Sequence, residues 1–359
     1  LTVEKPSVRR GDPIEKFYML LPVIHGLNIP RVVILSKYYG SFIPMTSPFV
    51  LAPMAELSHR PLREVLERFG GCDEYFTEMI SAPALLAGGP WERFYLSAEP
   101  RPEKVVYQLV GGEEDALVEA ARIVDERNCL GIDINMGCPA PEIVRQNAGV
   151  RWMADTNRAR RVVARLRSVV RHRLSVKIRL GYDENSEYLV NFCTALQNEG
   201  LDRITLHPRT ASEKLRRRSR WEYVDLLSSA LTIPVVGNGD VDTAEALIRR
   251  SLATPGGVMV GRGAVRRPWI FAQARGAEGP TVDILEITEL FLDSLELHQP
   301  PEFYRSRSQR FFFYFFDNLT WAHHIKTLVA RQEKLADQGK VLRTYLDEHP
   351  EDRYPTLKP

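Results

Sequence analysis

The sequence predicts an α/β chain, a (β/α)8 TIM barrel followed by a smaller C-terminal helical domain. Three observations lead there. Short apolar runs alternate with longer amphipathic stretches from residue 49 to about 275, the pattern of strand-helix units around a parallel sheet. The runs amount to eight, enough to close a barrel. Beyond Pro280 the strand signal stops while helical periodicity continues.

The expected strands are residues 49–52, 105–109, 131–135, 175–178, 203–206, 234–237 and 257–260, with a weaker one near 73–76. Between them, 113–127, 157–170, 187–199 and 243–250 carry apolar residues at three-to-four-residue spacing and read as helices. Segments 282–297, 305–331 and 332–345 read as the helices of the second domain. The expected division is an extension of unknown role over 1–48, a catalytic barrel over 49–279, a helical domain over 280–345 and a polar tail over 346–359.

Composition agrees with a folded chain: 44% of residues are hydrophobic and 26% charged, ordinary for a protein that buries a large core. The net charge of +2 conceals arginines crowded in the middle of the chain. The four cysteines, Cys72, Cys129, Cys138 and Cys193, show neither metal-ligand spacing nor a disulfide framework. A reducing cytoplasm and no metal are expected. Apolar runs at 17–24 and 32–35 are too short to span a bilayer, so no membrane association is expected, and the first residues lack the order of a signal peptide.

In such a barrel the active groups come from the C-terminal ends of the strands. Here the apolar runs end in Pro53-Met54, Gln108, Asn135, Lys177, His207, Asn238 and Gly261-Arg262. The glycines of residues 257–263 would let backbone N–H groups approach a phosphate, with Arg262 as a fixed cation. Residues 237–240, Gly-Asn-Gly-Asp, supply the neighbouring loop. Lys177 at a strand end would be costly unless it faced an anion or the barrel mouth. Singly, Lys177 reads rather as a snorkelling lysine and His207 as a hydrogen-bonded core histidine, whereas as a pair flanking a phosphate site they read as cofactor contacts. Residues 133–141 run from a strand into Gly137, Cys138 and Pro139, which holds the thiol at the mouth. An unperturbed thiol is mostly protonated at neutral pH, so Cys138 suits proton donation. The other three cysteines read as small buried apolar residues.

Read in order, Ala52-Pro53-Met54, Glu78-Met79, Gln108-Leu109, Asn135-Met136-Gly137-Cys138-Pro139, Lys177-Ile178-Arg179, His207-Pro208-Arg209-Thr210, Gly237-Asn238-Gly239-Asp240 and Gly261-Arg262-Gly263-Ala264 resemble the tRNA-dihydrouridine synthase family. The likeness runs from about Ser47 to the C-terminal helices. It implies an oxidoreductase that saturates the C5=C6 bond of chosen uridines in tRNA with FMN, reduced by NADPH or NADH. Hydride would pass from flavin N5 to C6, and Cys138 would protonate C5. By resemblance, Pro53, Met54 and Ala55 would edge the isoalloxazine, Gln108 would hydrogen-bond it, and Lys177 would face its N1/O2 side. His207, Asn238, Gly239, Asp240, Gly261 and Arg262 would complete the cofactor site. Asn135, Arg145, Arg209 and Thr210 are the expected substrate contacts.

A target uridine must leave its stack to reach such a site, which demands a grip on the surrounding RNA. Arg145, Arg151, Arg158, Arg160, Arg161, Arg165, Arg167, Arg171 and Arg173 before the lysine strand offer one set of phosphate contacts. Arg209, Lys214, Arg216, Arg217, Arg218 and Arg220 offer another, and Arg305, Arg307, Arg310, Lys326 and Arg331 a third. The helix after Asp155 reads equally as a solvated charged face. Most rings of residues 311–316 read as core. Two departures from the family pattern stand out: residues 212–219, Ser-Glu-Lys-Leu-Arg-Arg-Arg-Ser, replace a glycine-rich or aromatic stretch, and residues 147–150 a more glycine-rich turn. Two rivals remain open, an FMN barrel acting on a small molecule in the manner of dihydroorotate dehydrogenase, and an RNA-binding protein without chemistry.

Overall fold

Eight parallel strands close on themselves in chain order in the computed structural model, which describes residues 47–277 and 281–355. Residues 1–46 of the expected extension and the 279/280 boundary lie outside the described residues. The strands are β1 (Phe49–Leu51), β2 (Glu74–Ser81), β3 (Val105–Val110), β4 (Gly131–Met136), β5 (Arg173–Ile178), β6 (Arg203–Leu206), β7 (Val235–Asn238) and β8 (Val258–Val260). β8 pairs back onto β1, with Phe49 opposite Val258. The barrel interior is filled by Val50, Ala52, Phe76, Val106, Val236 and Met259. β3 and β4 are buried along their whole length, as strands walled by helices outside and side chains inside must be.

β2 gave the weakest sequence signal and is the longest strand. Its pattern is broken by polar residues that nonetheless find partners: Thr77 Oγ1 accepts from the Gln108 N–H at 3.1 Å, and Glu74 pairs with two arginines. The pairing with β3 also slips between Phe76 and Met79, which obscures a period of two.

The strands are followed in order by α1 (Arg60–Glu67), α2 (Ala82–Ala87), α3 (Glu114–Asp125), α4 (Thr156–Arg167), α5 (Ser186–Asn198), α6 (Glu222–Ala230), α7 (Ala244–Ala253), and the pair α8 (Arg262–Arg266) and α9 (Ile270–Ala274). Asp155, Asn185 and Thr243 cap α4, α5 and α7 by accepting a backbone N–H three residues on.

The C-terminal helical region comprises α10 (Ile284–His298), α11 (Pro301–Phe315), α12 (Ala322–Ala330) and α13 (Leu335–Glu348). The continuous helix expected over 305–331 is interrupted after Phe315. Asn318 there donates to the Arg266 and Phe315 carbonyls, and Asp352 accepts from the Thr320 N–H and hydroxyl at 2.9 and 2.7 Å. These bonds satisfy backbone that a helix would otherwise use. α13 runs three residues past the expected boundary, and buried Leu346 and Asp352 hold the following turn against the domain. α10 packs on α1, seating the helical region against the barrel. Phe311, Phe312, Phe315 and Phe316 stack inside it, as read from the sequence, while Phe313 is exposed.

Candidate active site

Parallel register puts the polar strand ends at one level. Met79 lies opposite Gln108, Gln108 opposite Asp133, Asn135 opposite Lys177, and Asn238 opposite Met259. The loops above them enclose a cavity of about 320 Å³, in the range of small-molecule and cofactor sites. Of the sequence-predicted residues, Pro53, Met54, Ala55, Asn135, Cys138, Lys177, His207, Arg209, Asn238, Gly239, Asp240, Gly261 and Arg262 line it.

Cys138 follows β4 on a turn held at both ends. Its N–H donates to Asn135 Oδ1 at 2.9 Å and its carbonyl accepts from the Val150 N–H at 3.0 Å. Gly149 makes that second contact feasible, since at φ +61° its missing Cβ would lie 2.4 Å from the Cys138 carbonyl oxygen. The thiol is half-buried. Burial pushes it up, and the Ala140 N–H, Arg179 and Lys177 only partly oppose this. The group is therefore a neutral S–H at physiological pH, able to give a proton.

Lys177 is half-buried and makes no hydrogen bond or ion pair with any other described residue. Burial, reinforced by Arg179, lowers its ammonium to about 8. His207 is also depressed, by burial and then by Lys177, Arg179, Arg209 and Arg262. Arg209 donates to His207 Nε2 at 2.8 Å, so the ring is neutral with its proton on Nδ1. Gly239 sits close by at φ +122°, where a Cβ would be 3.0 Å from the His207 ring.

Arg209, although it lines the cavity, is buried. Its guanidinium is held by His207 and by Asp240 at 2.6 Å, and Asp240 also accepts from the Ser219 N–H at 2.7 Å. Asn238 donates to the Met259 carbonyl at 2.8 Å. Arg262 lines the cavity with no ion pair among the described residues. Gly261 beside it presents bare backbone, its nearest neighbour to a notional Cβ being Met54 Sδ at 3.4 Å. Lys177, Arg262 and this backbone are the groups that could hold an anionic cofactor.

Three predicted residues stand apart from the cavity lining. Gln108 is fully buried beneath it, donating to Asp133 Oδ2 at 2.7 Å and accepting from Asn135 Nδ2 at 2.9 Å. Arg145 is exposed on the short helix Pro141–Arg145. Thr210 is buried, its N–H bonded to Glu213.

Comparison with known proteins decides the family. A dihydrouridine synthase family model matches residues 50–339. The chain belongs to the dihydrouridine synthase family. A probable tRNA-dihydrouridine synthase of Rickettsia prowazekii is 30% identical over 68% of this chain and 76% of its own length. One of Rhizobium leguminosarum is 34% identical, covering 64% of this chain and 73% of its own. The tRNA-dihydrouridine synthase B of Pseudomonas aeruginosa is 29% identical over 71% and 79%. Among solved structures, a 2-naphthoyl-CoA reductase complex aligns with TM-score 0.52 at 9% identity, covering 64% of this chain and 50% of that one, a likeness of fold alone.

The lining of this dihydrouridine synthase family member also includes residues to which the sequence assigned no place in the cavity. Met79 and Met259 come from strands, Arg179 follows directly on β5, Leu215 comes from the divergent loop, and Tyr314 comes from α11 together with Arg310, read before only as a phosphate contact. The signal for the last two was their four-residue spacing, which puts both on one helix face. The arginine sets also sort themselves. Arg160, Arg161, Arg165, Arg167 and Arg171 pair with acids of neighbouring segments, Arg158 lies over Trp152 at 3.7 Å, and Arg220 pairs with Glu213. Arg307 is buried against Glu78 at 2.9 Å. Arg145, Arg151, Arg216, Arg217, Arg218, Arg305 and Arg331 are exposed with no ion pair among the described residues. No group of His, Cys, Asp or Glu among the described residues could hold a metal ion, and no described helix is long and apolar enough to cross a membrane.

Proposed function

We propose that this chain is a tRNA-dihydrouridine synthase, as its relatives are named, using FMN and a reduced nicotinamide nucleotide to saturate uridines in tRNA. The observation that carries the reading is one cavity lined both by a neutral thiol, Cys138, and by cations without ion pairs, Lys177 and Arg262. The residues fit FMN. Arg262 and the backbone at Gly261 would take the phosphate, and Lys177 would face the ring where it is electron-rich. Pro53, Met54 and Ala55 would border the ring, with His207, Asn238 and Gly239 beside them.

When bound and reduced, FMN supplies the hydride that adds to uracil C6. The protein's own task is to hold the extruded pyrimidine against Cys138, which donates its S–H proton to C5. A thiol serves because burial keeps it protonated without a special partner. Arg310 and Tyr314 bring the helical domain to the rim of the cavity, which suits a macromolecular substrate better than a small one. The exposed unpaired arginines supply phosphate contacts of the salt-sensitive kind that tRNA offers. This work would be done in the cytoplasm.

The test is an absorbance spectrum of the purified protein, then incubation with unmodified tRNA and NADPH or, separately, NADH, followed by mass mapping. A flavin spectrum and a two-hydrogen mass gain at a defined uridine are expected. A colourless protein that binds tRNA without mass gain would establish the non-catalytic rival, and turnover of dihydroorotate or an enone without tRNA the small-molecule one.

A further inference from the structure

We infer that Asp133 and Gln108 are positioning residues that fix the Cys138 turn through the polarity of two buried amides in series. The chain of bonds is continuous. Ser175 Oγ and Gln108 Nε2 both donate to the Asp133 carboxylate, at 2.7 Å each. Asn135 Nδ2 donates to Gln108 Oε1 at 2.9 Å. Asn135 Oδ1 accepts from the N–H groups of Gly137 and Cys138, at 3.2 and 2.9 Å.

Burial raises the Asp133 carboxyl to about 6, opposed by the Ser175 and Gln108 hydrogen bonds and by Lys177, so at pH 7 and above it is ionised. An ionised carboxylate accepts only, so Asp133 obliges Gln108 to turn its NH2 toward it and its oxygen toward Asn135. Asn135 must then present its own NH2 to Gln108, which leaves its oxygen for the Cys138 turn. Two amides that could otherwise rotate by half a turn are thus locked in one sense. Reversal of either would set NH2 against N–H donors in a buried place, leaving polar groups unpaired. Asp133, Gln108 and Ser175 are fully buried, so water is not at hand to repair such a fault.

This gives Gln108 and Asn135 roles different from those expected by resemblance: the first acts from beneath the cavity, and the second spends both ends of its amide on the protein. The inference rests on Cys138 being the proton donor, but its first test does not need turnover. Cys72, Cys129 and Cys193 are buried, so iodoacetamide alkylation followed by peptide mass spectrometry reads each thiol separately. In Gln108→Leu the Cys138 alkylation rate should rise about three-fold or more, with the other three thiols as protected as in the parent. The kcat on tRNA should fall about ten- to a hundred-fold, as for a displaced reacting group, with KM for tRNA and flavin content unchanged.

The double variant Gln108→Glu/Asp133→Asn moves the charge one residue along and keeps every donor facing an acceptor. It should bring the Cys138 alkylation rate back to that of the parent. Unchanged Cys138 alkylation in Gln108→Leu, equal acceleration at all four cysteines, or a double variant no better than Gln108→Leu would each overturn the inference. A parent protein that forms no dihydrouridine would sink the functional reading instead, while leaving the alkylation comparison decisive for the network.

Discussion

The two ends of the barrel use the same residue types to opposite purposes. At the N-terminal end, Glu74 of β2 reaches across the interior to Arg173 of β5 and Arg203 of β6, at 2.6 Å each. Burial pushes the Glu74 carboxyl up, but the two guanidiniums outweigh it and hold it below its ordinary range. At the C-terminal end, Lys177, Arg179, Arg209 and Arg262 gather around a neutral His207. The acids that line that mouth are engaged, Asp240 by Arg209 and Asp242 by Arg266. Lys177 and Arg262 are left with no ion pair among the described residues. Removing one partner of a buried pair is strongly destabilising, and a cation held without a partner is held at the expense of the fold.

That contrast can be broken at either end. The largest effect belongs to the mouth: Cys138→Ala should slow single-turnover formation of dihydrouridine by about 10²- to 10⁴-fold, the usual weight of a general acid. Flavin content and tRNA affinity should stay as in the parent. Turnover at the parental rate would remove the thiol from the chemistry.

At the opposite end, Glu74→Gln leaves buried Arg203 and half-buried Arg173 without a counter-charge and should cost about 3 kcal/mol of stability in urea unfolding. Activity per folded molecule should be unaltered, because the fault lies far from the cavity. A loss below 1 kcal/mol would mean that the arginines find other partners, and that about 1 kcal/mol is all the pairing is worth.

Lys177→Met should sharpen the comparison by changing two properties in opposite directions. Flavin should be retained more weakly, by equilibrium dialysis. The flavin-free protein should be more stable at pH 7, on the order of 1 kcal/mol after allowance for the hydration a half-buried ammonium keeps. The sign follows from the lowered ammonium, at about 8 against an ordinary 10.5. Below pH 8 the charge is present in both folded and unfolded chains and its burial is opposed in full. Between about 8 and 10.5 the unfolded chain holds more protons, so the parent gains stability as pH rises. The advantage of the variant should therefore vanish above that window, and a gap constant with pH would rule out the buried ammonium as its source.

The smallest effect is expected on the divergent loop. Replacing Arg216, Arg217 and Arg218 by Ala should raise KM for tRNA by a few-fold and reduce the slope of log affinity against log salt by up to about three, one per lost phosphate contact. The kcat should not move. An unchanged salt slope would place the RNA elsewhere.

Much of this was legible in the sequence because strand ends in a parallel barrel share one rim, so a linear list of terminal residues is already a map of the mouth. Lys177, His207, Asn238, Gly261 and Arg262 were found in that way. The place of Gln108 beneath the lining was not legible for a definite reason. Its position at a strand end does not say whether its amide faces up to a ligand or down to Asp133, and only the neighbouring strand decides. Arg209 was read as a free cation because its partner, Asp240, lies 31 residues away. The arginines of α4 were ambiguous until α3 and α5 brought acids beside them.

By itself, the sequence determined the strand-helix alternation, the family and the thiol at the mouth, since all three are written in local order: apolar periodicity, motif succession and a Gly-Cys-Pro turn. Tertiary structure decided which charges are spent and which remain. That division depends on contacts between strands and helices far apart in the chain, and electrostatic pairing is a property of distance in space.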